Sequence, residues 1–122
     1  MKKITEFEIL SYDSENQSSR LVSFFNEFPY CIVEFQKEII ILIRNEKRFY
    51  CYIFDDSVRE AEIDKELISS AEGVIQMIKN CIVNGMKMKE CFFVENNSEE
   101  FTDFLSTYKI EAEWLLNKIL KT

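Results

Sequence analysis

The chain has 122 residues, 47% of them hydrophobic, which is typical of one globular domain (residues 1–122) with a single core. It carries 22 acidic and 15 basic residues, a formal net charge of −7, and no histidine. This charge disfavours nucleic acid as the main partner, because phosphate contacts need clustered lysine and arginine. The lack of histidine excludes Ser-His-Asp and Cys-His catalytic groups and histidine-based zinc catalysis.

The cysteines and the N-terminus predict a cytoplasmic protein. Cys31, Cys51, Cys81 and Cys91 each lie inside an apolar segment without C-x-x-C spacing, so we expect buried free thiols; two disulfides remain the alternative. The first residues, Met-Lys-Lys-Ile-Thr-Glu-Phe-Glu, do not resemble a signal peptide. No apolar run approaches the ~18 residues of a membrane span, so we expect no membrane association.

The first elements are predicted as a strand followed by a helix. Alternation of Thr5, Phe7 and Ile9 with glutamates predicts an edge strand with one charged face. Ser14-x-x-Gln17 matches a capping box, which indicates a helix start. The helix itself is predicted from an aromatic stripe at i, i+3, i+4 and i+7, and we expect it to end before Pro29. The stripe consists of Leu21, Phe24, Phe25 and Phe28.

Residues 30–55 predict a three-stranded antiparallel meander, around which the rest of the chain is organised. Alternating apolar residues in 30–35 and 48–54 indicate two strands, and the uninterrupted run 39–43 indicates a central strand that is buried on both faces. The connections lack glycine, so we expect loops of about three to five residues, with Asn45 adopting a positive φ.

An acidic segment and a long helix follow the meander. Residues 55–66 hold seven carboxylates and two basic residues. Asp64 is predicted to cap the helix, with Ser57-x-x-Glu60 as the alternative start. A helical stripe continues from Leu67 to Ile82, and Gly85 is placed for a left-handed residue after the helix.

The last elements are a strand over residues 89–94 and a final helix with an apolar stripe from Phe101 to Ile119. The predicted order is therefore β-α-β-β-β-α-β-α. This order predicts an α+β domain with one mainly antiparallel sheet of about five strands and helices packed chiefly on one face.

The sequence predicts no catalytic site, cofactor or metal centre, and hence a protein that is not an enzyme. The adjacent carboxylate pairs point apart on any helix or strand, and solvated positions would not raise a pKa enough for a general acid. Four separated thiols are a poor zinc set. Two glycines, Gly73 and Gly85, cannot form a P-loop or a dinucleotide-binding turn.

We instead expect a basic protein partner that binds an acidic surface. The candidate residues lie in two sequence clusters, which we consider as one surface: Asp55, Asp56, Glu60, Glu62, Asp64 and Glu66, together with Glu95, Glu99, Glu100 and Asp103. The alternative is an ordinary solvated loop and two acid-rich helix starts.

A second candidate surface is the aromatic face of the meander. Tyr50 and Tyr52 share this face with Tyr30 and Phe54. Aromatic residues of this kind often anchor protein interfaces, although such a row can also be covered by a helix.

Size, charge and the missing catalytic groups favour an immunity or antitoxin-type inhibitor that neutralises a basic, nuclease-like toxin. The alternative is a small acidic secretion chaperone or adaptor that holds a client polypeptide as a homodimer. The inhibitor should form a salt-sensitive complex, whereas the chaperone should use apolar surface and depend weakly on salt.

Overall fold

A computed structural model describes residues 2–13, 19–55, 64–95, 99 and 102–103, with the backbone alone at 19, 55 and 64–67. The strands are β1 (Lys2–Ile4), β2 (Tyr30–Phe35), β3 (Glu38–Asn45), β4 (Arg48–Asp55), β5 (Asp64–Ile68) and β6 (Met88–Val94). The helices whose ends lie within the described residues are α1 (Glu6–Leu10), α2 (Ser19–Glu27) and α3 (Ala71–Val83). Within these residues, no helix is both long enough and apolar enough to span a membrane.

The strands form one sheet in the order β1-β6-β2-β3-β4-β5, and every neighbouring pair is antiparallel. This confirms the predicted α+β class and the central meander, which pairs Cys31 with Leu42 and Leu42 with Cys51. The sheet has six strands where the sequence predicted about five. The additional strand, β5, forms where a helix was expected.

The main core lies between one face of the sheet and the three helices. Apolar residues at alternate positions of the strands pack there against α1, α2 and the buried stripe of α3. We call this side of the sheet the helical face. Its sheet residues include Cys31, Val33, Phe35, Ile40, Leu42, Phe49, Cys51, Cys91 and Phe93, and its helix residues include Ile9, Leu21, Phe25, Val74, Ile75 and Ile78.

The predicted edge strand over residues 5–9 is wrong in position, and these residues do not form a strand. The strand is β1, which pairs with β6, and the predicted strand residues 5–9 begin a helix instead. Thr5 caps that helix by accepting a hydrogen bond from the amide of Glu8 at 3.1 Å. Ile9 is buried and Phe7 is 77% exposed, so the alternating pattern reflects a short helix with one apolar contact.

The prediction that Asp64 caps the long helix is also wrong. Asp64 begins β5, which pairs with β4, and α3 begins at Ala71. Its N-cap is Ser70, whose hydroxyl accepts a hydrogen bond from the amide of Gly73 at 3.0 Å. The helical stripe is confirmed from this point onward.

The predicted left-handed glycine is confirmed at the end of α3. Gly85 has φ = 104°. The amide of Gly85 donates to the carbonyl of Ile82, and the amide of Met86 donates to the carbonyl of Cys81, which together form a Schellman motif. In the β3–β4 turn, however, the residue with positive φ is Glu46 (59°) and not the predicted Asn45.

The opposite face of the sheet is also buried. Ile32, Ile41 and Tyr52 are at most 1% exposed on this face, and Phe92 is 4% exposed. The predicted stripe of the final helix lies outside the described residues, apart from helical backbone at 99 and 102–103. The Ser14-x-x-Gln17 and Ser57-x-x-Glu60 capping boxes also lie outside them.

Candidate functional site

The first acidic cluster lies at one end of the sheet. Asp55 is the last residue of β4 and Asp64 is the first residue of β5, where it pairs with Ile53. Glu66 pairs with Cys51 two residues further along the same ladder. Antiparallel pairing therefore brings the two ends of the acidic segment together. Its remaining candidates, Asp56, Glu60 and Glu62, lie outside the described residues.

The second acidic cluster begins at the opposite end of the sheet. Strand β6 is antiparallel to β2, whereas β4 is two antiparallel steps away from β2 and therefore runs parallel to it. Strands β4 and β6 thus run in opposite directions. Glu95, which follows β6, therefore lies at the other end of the sheet from Asp55. Glu95, Glu99 and Asp103 are exposed, and Glu100 lies outside the described residues. The structure does not bring Asp55 and Glu95 together into one surface.

Three further carboxylates join Asp55 and Asp64 at their end of the sheet. Glu38 pairs with Asp55 across β3 and β4, and Glu34 pairs with Glu90 across β2 and β6. Each of five neighbouring strands thus carries one acidic residue near this end. We call Glu34, Glu38, Asp55, Asp64 and Glu90 the acidic sheet end. The sequence did not indicate Glu34, Glu38 and Glu90 as site residues, because each is isolated along the chain. Only the pairing of the strands brings them together.

Four lysines accompany the five carboxylates of this site. Lys37, Lys87 and Lys89 lie in or beside the connections at the same end of the sheet. Lys3 forms an ion pair with Glu90, with Nζ and Oε1 3.1 Å apart, and both side chains are about half exposed. Such exposed pairs are worth little in stability.

Glu34 is the most electrostatically perturbed member of the acidic sheet end. Burial raises the pKa of its carboxyl group above the usual value, Lys89 lowers it, and the facing charge of Glu90 raises it. Carboxylates placed directly opposite one another on antiparallel strands are destabilising. The facing pair of Glu34 and Glu90 is therefore unfavourable in itself, and Lys89 and the ion pair with Lys3 offset part of that cost.

The aromatic face predicted as a second interaction surface is mostly buried. Tyr30, Tyr52 and Phe54 are at most 8% exposed, and Tyr50 is half-buried. This burial favours the alternative in which the aromatic row packs inside the protein. Tyr52 is not available to a partner in this structure.

A groove runs beside α3 on the helical face of the sheet. Its volume is about 600 Å³. Apolar atoms of Ile68, Met77 and Cys81 line it together with amide side chains, and the remaining lining residues are Ser69, Gly73, Gln76, Asn80 and Asn84. Asn84 also lines a second cavity of about 300 Å³, which reaches Glu38 at the acidic sheet end.

The four cysteines form no disulfide, and Cys81 lines the groove. Cys31, Cys51 and Cys91 are buried, and Cys81 is half-buried. Burial raises the pKa of Cys81, and the negative charge of Glu38 raises it further. Among the described residues, no three His, Cys, Asp or Glu side chains are arranged to hold a metal ion.

Comparison with known proteins adds no family to these observations. No protein-family model matches the chain, and neither the curated proteins nor the solved structures give a significant match. The function therefore has to be inferred from the residues and their arrangement.

Proposed function

We propose that the protein is a non-catalytic inhibitor of the immunity or antitoxin type, which binds a basic, nuclease-like protein through the acidic sheet end. The observation that carries this proposal is the presence of one acidic residue on each of five neighbouring strands, β6, β2, β3, β4 and β5. Each of these strands has at least one neighbour that carries a carboxylate at the same end. The proposal restricts the predicted acidic surface to this end and leaves Glu95, Glu99 and Asp103 outside it.

The sheet gives these charges a fixed spacing. Neighbouring strands lie about 4.8 Å apart, so the five strand ends span roughly 20 Å. Alternation along the strands places Glu38 on the helical face and Glu34 and Glu90 on the opposite face, so both rims of this end carry acidic residues. Carboxylates arranged in this way could face the lysine and arginine side chains that line a phosphate-binding cleft. Charge complementarity of this kind mainly accelerates association and selects the partner.

The adaptor or chaperone alternative has one observation in its favour. Three large hydrophobic side chains of the described residues are exposed, namely Phe7 (77%), Val83 (68%) and Leu10 (37%). Scattered apolar residues are normal on soluble proteins, however, so they carry less weight than the arrangement of the carboxylates.

The first experiment is affinity capture from the native cell's lysate at low and high salt, with mass spectrometry of the retained proteins. The inhibitor proposal expects a basic protein that is released as salt rises, because exposed charges are screened. Purified partner then allows a nuclease assay with and without this protein. Retention of client polypeptides or self-copies through high salt would favour the adaptor.

Charge reversal locates the binding site. We expect Glu38→Lys with Asp55→Lys to weaken binding of the captured partner at least about tenfold, a loss of about 1.4 kcal/mol. The matched control reverses Glu95, which lies at the opposite end, and the exposed Glu99. Each double variant changes the net charge from −7 to −3, since each reversal adds two positive charges. Equal effects of the two variants would contradict the proposed site, and circular dichroism checks that both variants fold.

A further inference from the structure

We infer that the opposite face of the sheet is the docking surface for the chain's own C-terminal segment, residues 104–122, which lies outside the described residues. The segment would bind there through the apolar stripe that runs to Ile119. The proposed function assigns this apolar surface no role, so the acidic sheet end and the opposite face can be tested separately.

The opposite face presents a continuous apolar surface. Strand pairing aligns one row of side chains across β6, β2, β3 and β4, namely Phe92, Ile32, Ile41 and Tyr52. Neighbouring strands lie about 4.8 Å apart, so this row is roughly 14 Å long. Ile43 extends the same face along β3. Soluble proteins rarely leave a large continuous apolar surface in water, so this face needs a cover.

The described helices pack on the other side of the sheet. Helices α1, α2 and α3 share one core cluster with the helical face, and none of Phe92, Ile32, Ile41, Tyr52 and Ile43 belongs to it. These five residues are nevertheless at most 5% exposed, within a single chain that has no partner. The cover of the opposite face therefore belongs to the same chain and lies outside the described residues.

The C-terminal segment has the length that this cover needs. Its 19 residues follow helical backbone at 102 and 103, and as a helix they would extend roughly 28 Å. The eight residues of β3 span roughly 26 Å. The longer undescribed runs inside the chain, 14–18 and 56–63, are shorter, and neighbouring elements fix both of their ends.

The sequence of the segment gives it one apolar side. Its stripe alternates spacings of four and three residues, which is the period of one face of a helix. The charged residues Lys109, Glu111, Glu113, Lys118 and Lys121 all lie between the stripe positions. A helix with this pattern buries the stripe against an apolar surface and leaves its charges in water. The stripe consists of Phe101, Leu105, Tyr108, Ala112, Leu115 and Ile119.

Nuclear magnetic resonance of the full chain with labelled methyl groups tests this inference. We expect nuclear Overhauser effects from the methyl groups of Leu115 and Ile119 to those of Ile32 and Ile41. Ile40 is the matched control, because it belongs to the helical face, and it should show no such effect with the segment. Effects at Ile40 in place of Ile41, or no effect at either Ile32 or Ile41, would overturn the inference.

A mixed sample distinguishes the chain's own segment from that of a second copy. Two preparations with different isotope labels are combined, and effects between them are recorded separately from effects within one chain. We expect the contacts between Leu115 and Ile41 only within one chain. Contacts between chains would show that a second copy covers the face, and they would overturn the inference.

Two matched variants measure what the stripe contributes. Leu115→Lys places a charge on the stripe, whereas Ile110→Lys adds the same charge away from it. In urea denaturation, we expect Leu115→Lys to raise the equilibrium constant of unfolding at least about tenfold. Ile110→Lys should change it by less than about threefold. Equal effects would contradict the inferred contact, and Leu115→Ala with Ile110→Ala replaces this pair if Leu115→Lys does not fold.

These measurements need only the purified chain, so their result does not depend on whether a basic partner is captured. A segment that covers the opposite face in its own chain also removes this surface from the adaptor alternative, because a client polypeptide would have to displace it.

Discussion

The thiol sulfur atoms of Cys31 and Cys91 lie 3.8 Å apart inside the core, on the neighbouring strands β2 and β6. Their register is diagonal, because Cys31 pairs with Phe93 and Cys91 pairs with Val33. Burial raises the pKa of the Cys31 thiol well above its usual value, and the adjacent Cys91 thiol adds to this effect. Both residues therefore act as small apolar groups in the core.

This environment predicts an order of cysteine modification. Native protein treated with N-ethylmaleimide at pH 8 should react first at Cys81, because Cys81 is half-buried and the other three cysteines are buried. Modification of Cys31 and Cys91 should require opening of the core and be slower by about tenfold or more. Peptide mapping by mass spectrometry measures the order, and denatured protein provides the control in which access no longer differs. Reaction of Cys31 as fast as Cys81 would contradict this description of the core.

Phe93 lies at the centre of an aromatic cluster, so truncating its side chain should cause a large loss of stability. The Phe93 ring centroid lies 4.8 Å from that of Phe25 and 5.7 Å from those of Phe24 and Phe28. Phe93→Ala should lower the free energy of unfolding by about 3 to 5 kcal/mol, because it removes buried contacts and leaves a cavity. Phe7→Ala, at a side chain that is 77% exposed, is the matched control and should change it by less than about 0.5 kcal/mol. Urea denaturation measures both.

The Ser70 cap predicts a smaller and more local effect. Ser70→Ala removes the acceptor for the Gly73 amide and should cost about 1 kcal/mol of stability. Ser70→Asp keeps an acceptor at the start of α3 and should recover most of this loss. Ser69→Ala changes a neighbouring exposed serine and is the control. If Ser69→Ala and Ser70→Ala have the same effect in urea denaturation, Ser70 does not act as the cap.

The β-meander could be predicted because several local signals agree. Alternating apolar residues, β-branched side chains and short polar connections all favour strands over residues 30–54. The aromatic stripe of α2 was equally clear, because four apolar residues followed a single helical spacing. In these segments the local preference and the final packing favour the same structure.

Residues 64–68 show where local preference fails. Asp-Lys-Glu-Leu-Ile contains good helix formers behind a residue that often caps helices. The segment is nevertheless a strand, because β4 offers it a complete hydrogen-bonding edge. Tertiary pairing routinely overrides intrinsic propensity in short segments.

The acidic sheet end could not be predicted for the same reason, because it depends on which strands pair. Glu34, Glu38 and Glu90 are single acids in apolar or mixed segments, and no local pattern distinguishes them. Only the register of β2, β3 and β6 brings them to the end where Asp55 lies. Strand order also separates Asp55 from Glu95, which composition alone had grouped together.

The Glu34 and Glu90 pair predicts a pH-dependent gain in stability on neutralisation. Burial, and less strongly the facing charge of Glu90, raises the pKa of Glu34 in the folded protein. Its ionised form therefore disfavours folding above that pKa, and the cost disappears below the pKa of the unfolded chain. Glu34→Gln should therefore stabilise the protein at pH 7, on the scale of roughly 0.2 to 1 kcal/mol for a cross-strand pair, and give no such gain at acidic pH.

The measurement is urea denaturation at several pH values between neutral and acidic. Glu95→Gln removes the same charge at an exposed position beyond the sheet and is the control for net charge. A gain from Glu34→Gln that is independent of pH, or an equal gain from Glu95→Gln, would show that ionisation of the partly buried Glu34 carboxyl group is not its cause.

The buried hydroxyl group of Tyr52 gives the last prediction. Tyr52 is 1% exposed, and its hydroxyl oxygen has no hydrogen-bond partner among the residues that the structure describes. Leaving such a group unsatisfied costs about 1 to 3 kcal/mol, so Tyr52→Phe should stabilise the protein at neutral pH by about 1 kcal/mol. Tyr52→Leu, which also removes packed ring atoms, should destabilise it.

Alkaline pH should increase the difference between Tyr52→Phe and the original protein. Burial raises the pKa of Tyr52 from 10.0 to about 12, so the unfolded chain loses this proton first as the pH rises. The original protein therefore loses stability between pH 10 and about 12, and the phenylalanine variant lacks this loss. Urea denaturation of the two proteins across this range measures the difference in their free energies of unfolding. Titration of the other groups affects both proteins alike and cancels in this difference. A constant difference would mean that Tyr52 titrates alike in the folded and unfolded states, and hence that its hydroxyl group is hydrated in the folded protein.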